Sequence, residues 1–172
     1  MKTSLLSLTL CGLCTAAMSQ KVDNSTISTF DLDRYLGKWY EIARYDHPFE
    51  RGLVGNTAIY TLRDDGKIKV LNSGYINTLD GPYKESVGKA RARKNGMPGQ
   101  LEVSFFGPFY GDYDILELAP DYSYSVVGSS SPKYLWILSR TPQLSTATKD
   151  KILRNLRHRG YDTSKLIWVE QR

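Results

Sequence analysis

Short runs of alternating apolar and polar residues, separated by turn residues, occupy most of the chain from residue 37 to residue 140. Such alternation is typical of strands with one face on the interior and one in water. Asp64-Asp65-Gly66 lies between two of the runs and predicts a hairpin turn, because glycine readily adopts a positive φ. After the run that begins at Gly37, the others lie at residues 57–63, 67–72, 88–93, 101–106, 113–118, 122–128 and 134–140.

The number and spacing of these runs predict about eight antiparallel strands, which either pack as two sheets or close into a barrel. Closure leaves no exposed edge strand, and a barrel of this size has an interior just wide enough for one small ligand. The hydrophobic period then changes: Ser145 is a plausible N-cap for a helix that buries Ile152 and Leu156 and stops at Gly160. Residues 166–169 predict a last strand. The predicted fold class is all-β with one C-terminal α-helix and a short final strand. Of the two arrangements we favour an eight-stranded antiparallel up-and-down barrel, because closure removes exposed edges.

The first 19 residues have the pattern of a signal peptide. Lys2 supplies a positive start, residues 5–13 form a short apolar run, and small residues precede Gln20. We therefore predict a signal peptide over residues 1–19 and one domain over residues 20–172. Both cysteines, Cys11 and Cys14, lie in the signal segment, and neither follows the small residues that a lipid-attachment site needs. The sequence leaves open whether the N-terminus is free or lipid-anchored.

Charge and composition exclude several classes of function. The net charge is +5, and removing the signal peptide takes away only Lys2. Solvated faces of strands and of the helix account for this charge, so we expect no nucleic-acid partner. A mature chain without cysteine has no thiol nucleophile, and the two histidines, His47 and His158, form no triad or metal cluster in the sequence. We predict no catalytic residue, no metal and no cofactor.

Several motifs in the predicted order resemble the lipocalin family, and within it the bacterial lipocalins and the apolipoprotein D group. Gly37-Lys38-Trp39 on the first strand matches one family signature, Asp121-Tyr122 resembles a second, and Arg140 at the end of LWILSRTP matches a third. The resemblance covers essentially the whole mature chain. It implies a barrel that Gly37, Trp39 and Arg140 close at one end, with the guanidinium of Arg140 stacked on the indole of Trp39.

Strand alternation then predicts which side chains line the interior. On the first strand, Trp39, Glu41 and Ala43 share the inner face, whereas Arg44 lies on the outer face. A glutamate and an alanine fit an inner face if it borders a cavity rather than a solid core. Tyr60 and Asn72 are candidates to hold a ligand's head group, although a hydrogen bond between them would satisfy both equally well. The predicted ligand-binding residues are Trp136, Tyr60, Asn72, Phe105, Val70, Glu41, Ala43 and Leu138.

The opposite end of the barrel is the predicted mouth. Residues 47–53 join the first two strands, and the resemblance implies that this loop forms a lid. Phe49 and Leu53 in the loop are candidates for contact with a membrane or an acyl chain, with packing of the loop on itself as the alternative. His47 is expected to cap a turn.

These features favour an exported, non-catalytic carrier or store of an amphipathic lipid, either a fatty acid or a lysophospholipid, that serves maintenance of the cell envelope. The expected location is the periplasm or the outer membrane in a Gram-negative bacterium, and otherwise outside the cell. An anionic membrane surface and a homodimer partner stay open. The alternatives are a lipocalin-fold enzyme that uses Glu41 as an acid, and an envelope interaction module that carries no ligand.

Overall fold

The computed structural model describes residues 22–172, and the predicted signal peptide lies outside the described residues. Eight antiparallel strands follow one another around a ring, and β1 pairs with both β8 and β2, which closes it. The all-β barrel predicted from the sequence is thereby confirmed. The strands are β1 Gly37–Arg44, β2 Leu53–Leu62, β3 Ile68–Ile76, β4 Tyr83–Ala92, β5 Gln100–Phe106, β6 Phe109–Leu118, β7 Tyr124–Gly128 and β8 Leu135–Ser139.

Turn chemistry sets the strand boundaries. Gly66 has a φ of +74° in the β2–β3 hairpin, as the Asp-Asp-Gly sequence predicts. The β5–β6 connection is shorter than expected, because Gly107 turns the chain with a φ of +58° and Phe109 already pairs with Phe106. β6 therefore begins several residues before the predicted strand at residues 113–118.

In the part of the chain that the structure describes, two α-helices accompany the ring. α1, Leu32–Tyr35, begins at Asp31, whose side chain accepts from the backbone N–H groups of Asp33 and Arg34. α2, Thr146–His158, begins at the predicted N-cap, Ser145, and its chain turns away at Gly160 with a φ of +85°. Neither helix of residues 22–172 is long and apolar enough to span a membrane.

A short strand lies outside the ring. β9, Ile167–Trp168, pairs with Ala43 and Arg44 of β1, after a 3-10 turn at Thr163–Lys165. The ammonium of Lys149 on α2 lies 3.6 Å from the Trp168 ring centroid, so the last strand contacts the helix as well as the barrel.

The buried side chains form two separate clusters. One fills the barrel interior and includes Trp39, Tyr60 and Ile115. The other lies between the outer wall and α2, where Ile152 and Leu156 pack on strands β1, β6, β7 and β8. The helix covers only the side of the barrel formed by these strands. Most of β4 has no such cover and faces water.

A bulge in β1 changes which of its side chains face the interior. Glu41 pairs with Leu138, whereas Ala43 pairs with Ile137, so Ile42 is an extra residue in β1. Alternation is therefore reversed beyond the bulge, and Arg44 comes to lie opposite Trp136. No glycine marks the bulge in the sequence.

The closed end has the arrangement that the resemblance implies. Trp39 is fully buried, and its Nε1 donates to the carbonyl of Tyr35 at 2.8 Å. The guanidinium carbon of Arg140 lies 3.8 Å from the Trp39 ring centroid, and its nitrogens donate to the carbonyls of Lys38 and Arg34. Gly37 has a φ of +91°, which favours glycine at this position.

Candidate functional site

The barrel interior holds most of the side chains that the sequence proposes as ligand contacts. Tyr60, Val70 and Leu138 belong to the interior cluster, and Trp136 and Phe105 are half-buried against it. Asn72 lies opposite Ala58 of the same cluster, and Glu41 lies opposite Leu138. The structure therefore places these seven positions on the inner side of the barrel wall, and two of them, Tyr60 and Val70, line the small cavity described below.

Ala43 is the exception. It belongs to the cluster beneath α2, with Ile137 and Ile152, and not to the interior. The bulge at Ile42 is the physical reason, because it reverses the alternation on which the prediction for Ala43 depended. Arg44 takes the inner position instead, which corrects its predicted place on the outer face.

The half of the interior near the closed end is apolar and nearly full. It encloses a cavity of about 10 Å³, close to the volume that a single water molecule needs. A hydrocarbon chain therefore enters only if side chains or the lid move. The lining residues are Leu32, Tyr35, Tyr60, Ile68, Val70, Ala90, Leu101, Val103 and Tyr113.

The hydroxyl groups of three tyrosines form hydrogen bonds with one another in this half of the interior. Tyr113 Oη lies 2.8 Å from Tyr35 Oη and 2.9 Å from Tyr60 Oη, and Tyr35 Oη lies 3.0 Å from Ser125 Oγ. Burial raises the pKa of Tyr35 to about 12 and raises those of Tyr60 and Tyr113 as well. The hydroxyls therefore stay neutral and bonded, and Tyr60 has no bond to Asn72.

Asn72 differs from its neighbours because its Oδ1 is buried and has no hydrogen-bond partner among the described residues. Asn56 Oδ1 is in the same state. A buried acceptor without a donor costs free energy, about 1–3 kcal/mol in mutational data. Both amides are therefore available to a donor group on a ligand or to a water molecule.

A buried cluster of charged side chains occupies the half of the interior near the mouth. Arg44 Nη1 donates to Glu41 Oε1 at 2.6 Å, and both side chains are almost fully buried. Arg44 Nη2 donates to the carbonyls of Glu50 and Leu53, at 2.7 and 3.1 Å. One guanidinium therefore links the barrel wall to the β1–β2 loop, residues 45–52, which we call the lid.

Glu50 points from the lid into this cluster. Its Oε2 accepts from Trp136 Nε1 at 3.0 Å and lies 2.8 Å from His47 Nε2. The His47 contact has the distance of an ion pair without the direction of a hydrogen bond. His47 is buried and its ring packs edge-on against Trp136, so it belongs to the site and is more than the turn cap that the sequence predicts.

The two carboxyl groups of the cluster differ in pKa. Burial and the negative charge of Glu50 raise the pKa of Glu41 well above the usual range, although Arg44 opposes the shift. Burial also acts to raise the pKa of Glu50, but His47, the Trp136 N–H and Arg44 outweigh it and lower that pKa. Glu50 is therefore the ionised member, and Glu41 retains its proton over a wider pH range.

Sequence reasoning missed Arg44, His47 and Glu50 as a group. One sequence signal was available, because Glu41 and Arg44 are three residues apart and so are His47 and Glu50. That spacing brings the side chains together only because β1 has a bulge and the lid has a turn. Among residues 22–172, no three His, Cys, Asp or Glu side chains are placed to hold a metal ion.

Comparison with known proteins gives the same family as the motifs. A sequence model described as the lipocalin-like domain matches residues 30–171. The outer membrane lipoprotein Blc of Vibrio cholerae is 50% identical, with 84% of this chain and 85% of that protein covered. The protein of the same name in Escherichia coli K12 is 48% identical over 86% of this chain and 82% of its own length. Mouse apolipoprotein D is 33% identical over 95% of this chain and 92% of its own length.

Solved structures agree on the fold. Insecticyanin from the tobacco hornworm Manduca sexta superposes with a TM-score of 0.69 at 24% identity, covering 86% of this chain and 84% of its own. The cockroach allergen Per a 4 superposes with a TM-score of 0.67 at 21% identity, covering 86% and 92%. With a closed eight-stranded ring, the Trp39–Arg140 closure and relatives at this identity, the chain belongs to the lipocalin family.

Proposed function

We propose that this protein is an exported lipid-binding protein that carries or stores a fatty acid or a lysophospholipid in its barrel and serves maintenance of the cell envelope. The family membership supports the binding of a small hydrophobic molecule, and relatives named as outer membrane lipoproteins support export. In this proposal the protein acts by binding and performs no catalysis.

The observation that carries the proposal is the division of the interior. The half near the closed end is lined by apolar and aromatic side chains, whereas the half near the mouth holds Arg44, His47 and the Trp136 N–H. An amphipathic lipid has the same two parts, a tail that gains about 0.8 kcal/mol per buried methylene and a head that needs polar partners. The small cavity implies that loading requires movement of the lid and of half-buried side chains such as Phe105.

Lipid titrations of the wild-type protein and of Trp136→Ala test this proposal. Loss of the indole removes both ring contacts and the N–H donor, so we expect the affinity for lysophosphatidylcholine to fall about tenfold. Isothermal titration measures the affinity without depending on the tryptophans. Trp168→Ala is the matched control, because Trp168 lies on β9 outside the ring and should leave the affinity unchanged. Equal affinity of wild type and Trp136→Ala would reject the assignment of Trp136.

Native mass spectrometry of protein purified from its own host identifies any retained lipid. It also gives the number of subunits, which decides whether the protein forms a homodimer. The mass of the mature N-terminus distinguishes cleavage before Gln20 from acylation at Cys11 or Cys14. Binding to vesicles with anionic lipid tests whether the protein contacts an anionic membrane surface.

The enzyme alternative depends on Glu41, whose raised pKa is a property of buried acids at catalytic sites. Glu41 is bonded to Arg44 and covered by the lid, so a structural role accounts for the same observation. The alternative gains support only if an activity is found that Glu41→Gln abolishes while lipid binding persists.

A further inference from the structure

We propose that Arg44, His47 and the indole N–H of Trp136 form a binding site for the anionic head group of a lipid, and that Glu50 of the lid occupies this site when no ligand is bound. The inference rests on the proposed lipid-binding function and makes it more specific: the head group is a carboxylate or a phosphate, and the lid glutamate competes with it.

Two of these groups lie beside one carboxylate oxygen of Glu50. Glu50 Oε2 lies within 3.0 Å of Trp136 Nε1 and within 2.8 Å of His47 Nε2. The groups come from three segments, because Trp136 is on β8, His47 is at the start of the lid and Arg44 ends β1. Arg44 donates to the backbone carbonyl of Glu50 and not to its carboxylate. A guanidinium, an imidazole and an indole N–H that meet from separate segments make a site that an anion can occupy.

The site has more binding capacity than Glu50 uses. Arg44 Nε and His47 Nδ1 are buried and have no hydrogen-bond partner among the described residues. A phosphate or a free carboxylate positions its oxygens without the constraint of a lid backbone, and can therefore reach donors that the Glu50 side chain leaves unused. Buried donors without partners are costly, which favours an occupant that satisfies them.

The charge of the cluster also favours an anion. Glu41, Glu50, Arg44 and His47 are the titratable side chains that face one another here. Arg44 is bonded to Glu41, but burial and the charge of Glu50 raise the pKa of Glu41, so the negative charge near Arg44 depends on Glu50 as well. If Glu50 leaves, a buried guanidinium remains with too little negative charge beside it, and a ligand anion restores the balance.

The attachment of the lid allows Glu50 to leave without unfolding the barrel. The start of the lid is fixed, because Tyr45 packs in the cluster beneath α2 and its N–H donates to the Leu135 carbonyl. Around Glu50, the lid is held by the Arg44 bond to the Glu50 carbonyl, the bond from the Leu53 N–H to the same carbonyl, and the bond from the Asn77 N–H to the Gly52 carbonyl. Phe49 at the tip is 71% exposed and adds little packing. Outside the site itself, few contacts therefore oppose a movement of residues 49–51.

Three ligands with twelve carbon atoms each test the proposal by calorimetric titration: dodecanoate, dodecyl phosphate and dodecanol. In Glu50→Gln the competing charge is gone, so we expect both anionic ligands to bind about tenfold more tightly than to wild type. Binding of dodecanol should change less than about twofold, because it does not need the charged donors. Equal gains for the alcohol and the anions would overturn the head-group site.

The double variant Glu50→Gln/Trp136→Phe keeps a ring and removes one donor. Any loss of ring contact weakens all three ligands alike, so we expect the affinity for the anionic ligands to fall further than the affinity for dodecanol. An equal fall for the anions and for dodecanol would overturn the role of the indole N–H. Inorganic phosphate, which has no tail, should bind far more weakly than dodecyl phosphate. Equal affinity for the two would show a site for free phosphate and overturn the lipid assignment.

A measurement on the wild-type protein covers the case in which the variants do not fold. Bound dodecanoate or dodecyl phosphate excludes Glu50 and should speed amide hydrogen exchange at Leu53, whose N–H bonds to the Glu50 carbonyl. Bound dodecanol leaves the head-group site to Glu50, so it should not speed exchange at Leu53. Slower exchange at Leu53 with the anions would overturn the competition. If none of the three ligands binds, the proposed lipid-binding function fails; if all bind alike, only the head-group site fails.

Discussion

Arg140 joins parts of the closed end that are distant in sequence. Its guanidinium stacks on Trp39 and donates to the carbonyls of Lys38 and Arg34, at 2.8 and 2.7 Å. The end of β8 is thereby attached to α1 and to the start of β1. The lipocalin signatures were sufficient to predict this contact, because the Gly-x-Trp motif and the late arginine are recognisable in sequence.

Removing the Arg140 guanidinium should destabilise the fold. A cation–π contact contributes about 0.5–2 kcal/mol and a charged hydrogen bond about 1.5–3 kcal/mol, but this group is only half-buried. We therefore expect Arg140→Ala to lower the free energy of unfolding by about 1–3 kcal/mol in guanidinium titrations. Arg140→Lys is the control: it keeps the charge without the planar fork and should recover only part of the loss. Wild-type stability of the lysine variant would mean that charge alone is enough.

At the scale of elements, the sequence predicted the ring and the helix better than it predicted β1. Turn residues and alternation locate most strands. Ser145 and Gly160 mark the ends of α2, because a serine side chain can accept from a free N–H group of the first turn and a glycine readily adopts the positive φ at which the helix ends. The bulge at Ile42 depends on how β1 meets β8, so no local pattern reveals it. For that reason alternation misplaced Ala43 and Arg44, and the mouth cluster could not be predicted.

Helix α2 should contribute to stability through its buried face. Ile152 is fully buried between the helix and the barrel wall, and truncation of such a side chain leaves a cavity. We expect Ile152→Ala to lower the free energy of unfolding by about 2–5 kcal/mol. Arg154→Ala, on the exposed side of the same helix, should change it by less than about 0.5 kcal/mol. A loss as small for Ile152→Ala as for the control would mean that packing of α2 on the barrel contributes little to the stability of the fold.

At the scale of the whole molecule, the stability of the fold should depend on the proton of Glu41. Its raised pKa means that the folded protein holds this proton more tightly than the unfolded chain does. The contribution of Glu41 is therefore fully present below the usual glutamate pKa of about 4.3 and is lost as pH rises through the folded pKa. Glu50 acts in the opposite sense: its lowered pKa adds stability above the usual value, which is lost in acid.

Urea unfolding over a pH series tests this linkage. Between about pH 5 and pH 8, the free energy of unfolding of Glu41→Gln should decrease less with rising pH than that of wild type, because glutamine cannot ionise. Glu85→Gln, at an exposed position on β4, should keep the wild-type slope. Parallel curves for wild type and Glu41→Gln would contradict a raised pKa at Glu41.

The bonded hydroxyls of Tyr35, Tyr60 and Tyr113 have a consequence for the size of any cargo. An alkyl chain cannot replace the hydrogen bonds that it would break by pushing these rings apart. The tyrosines therefore limit how far an alkyl chain can enter the barrel. The remaining carbons of a longer chain must stay at the mouth. We expect affinity to rise with chain length only until the tail touches the tyrosines.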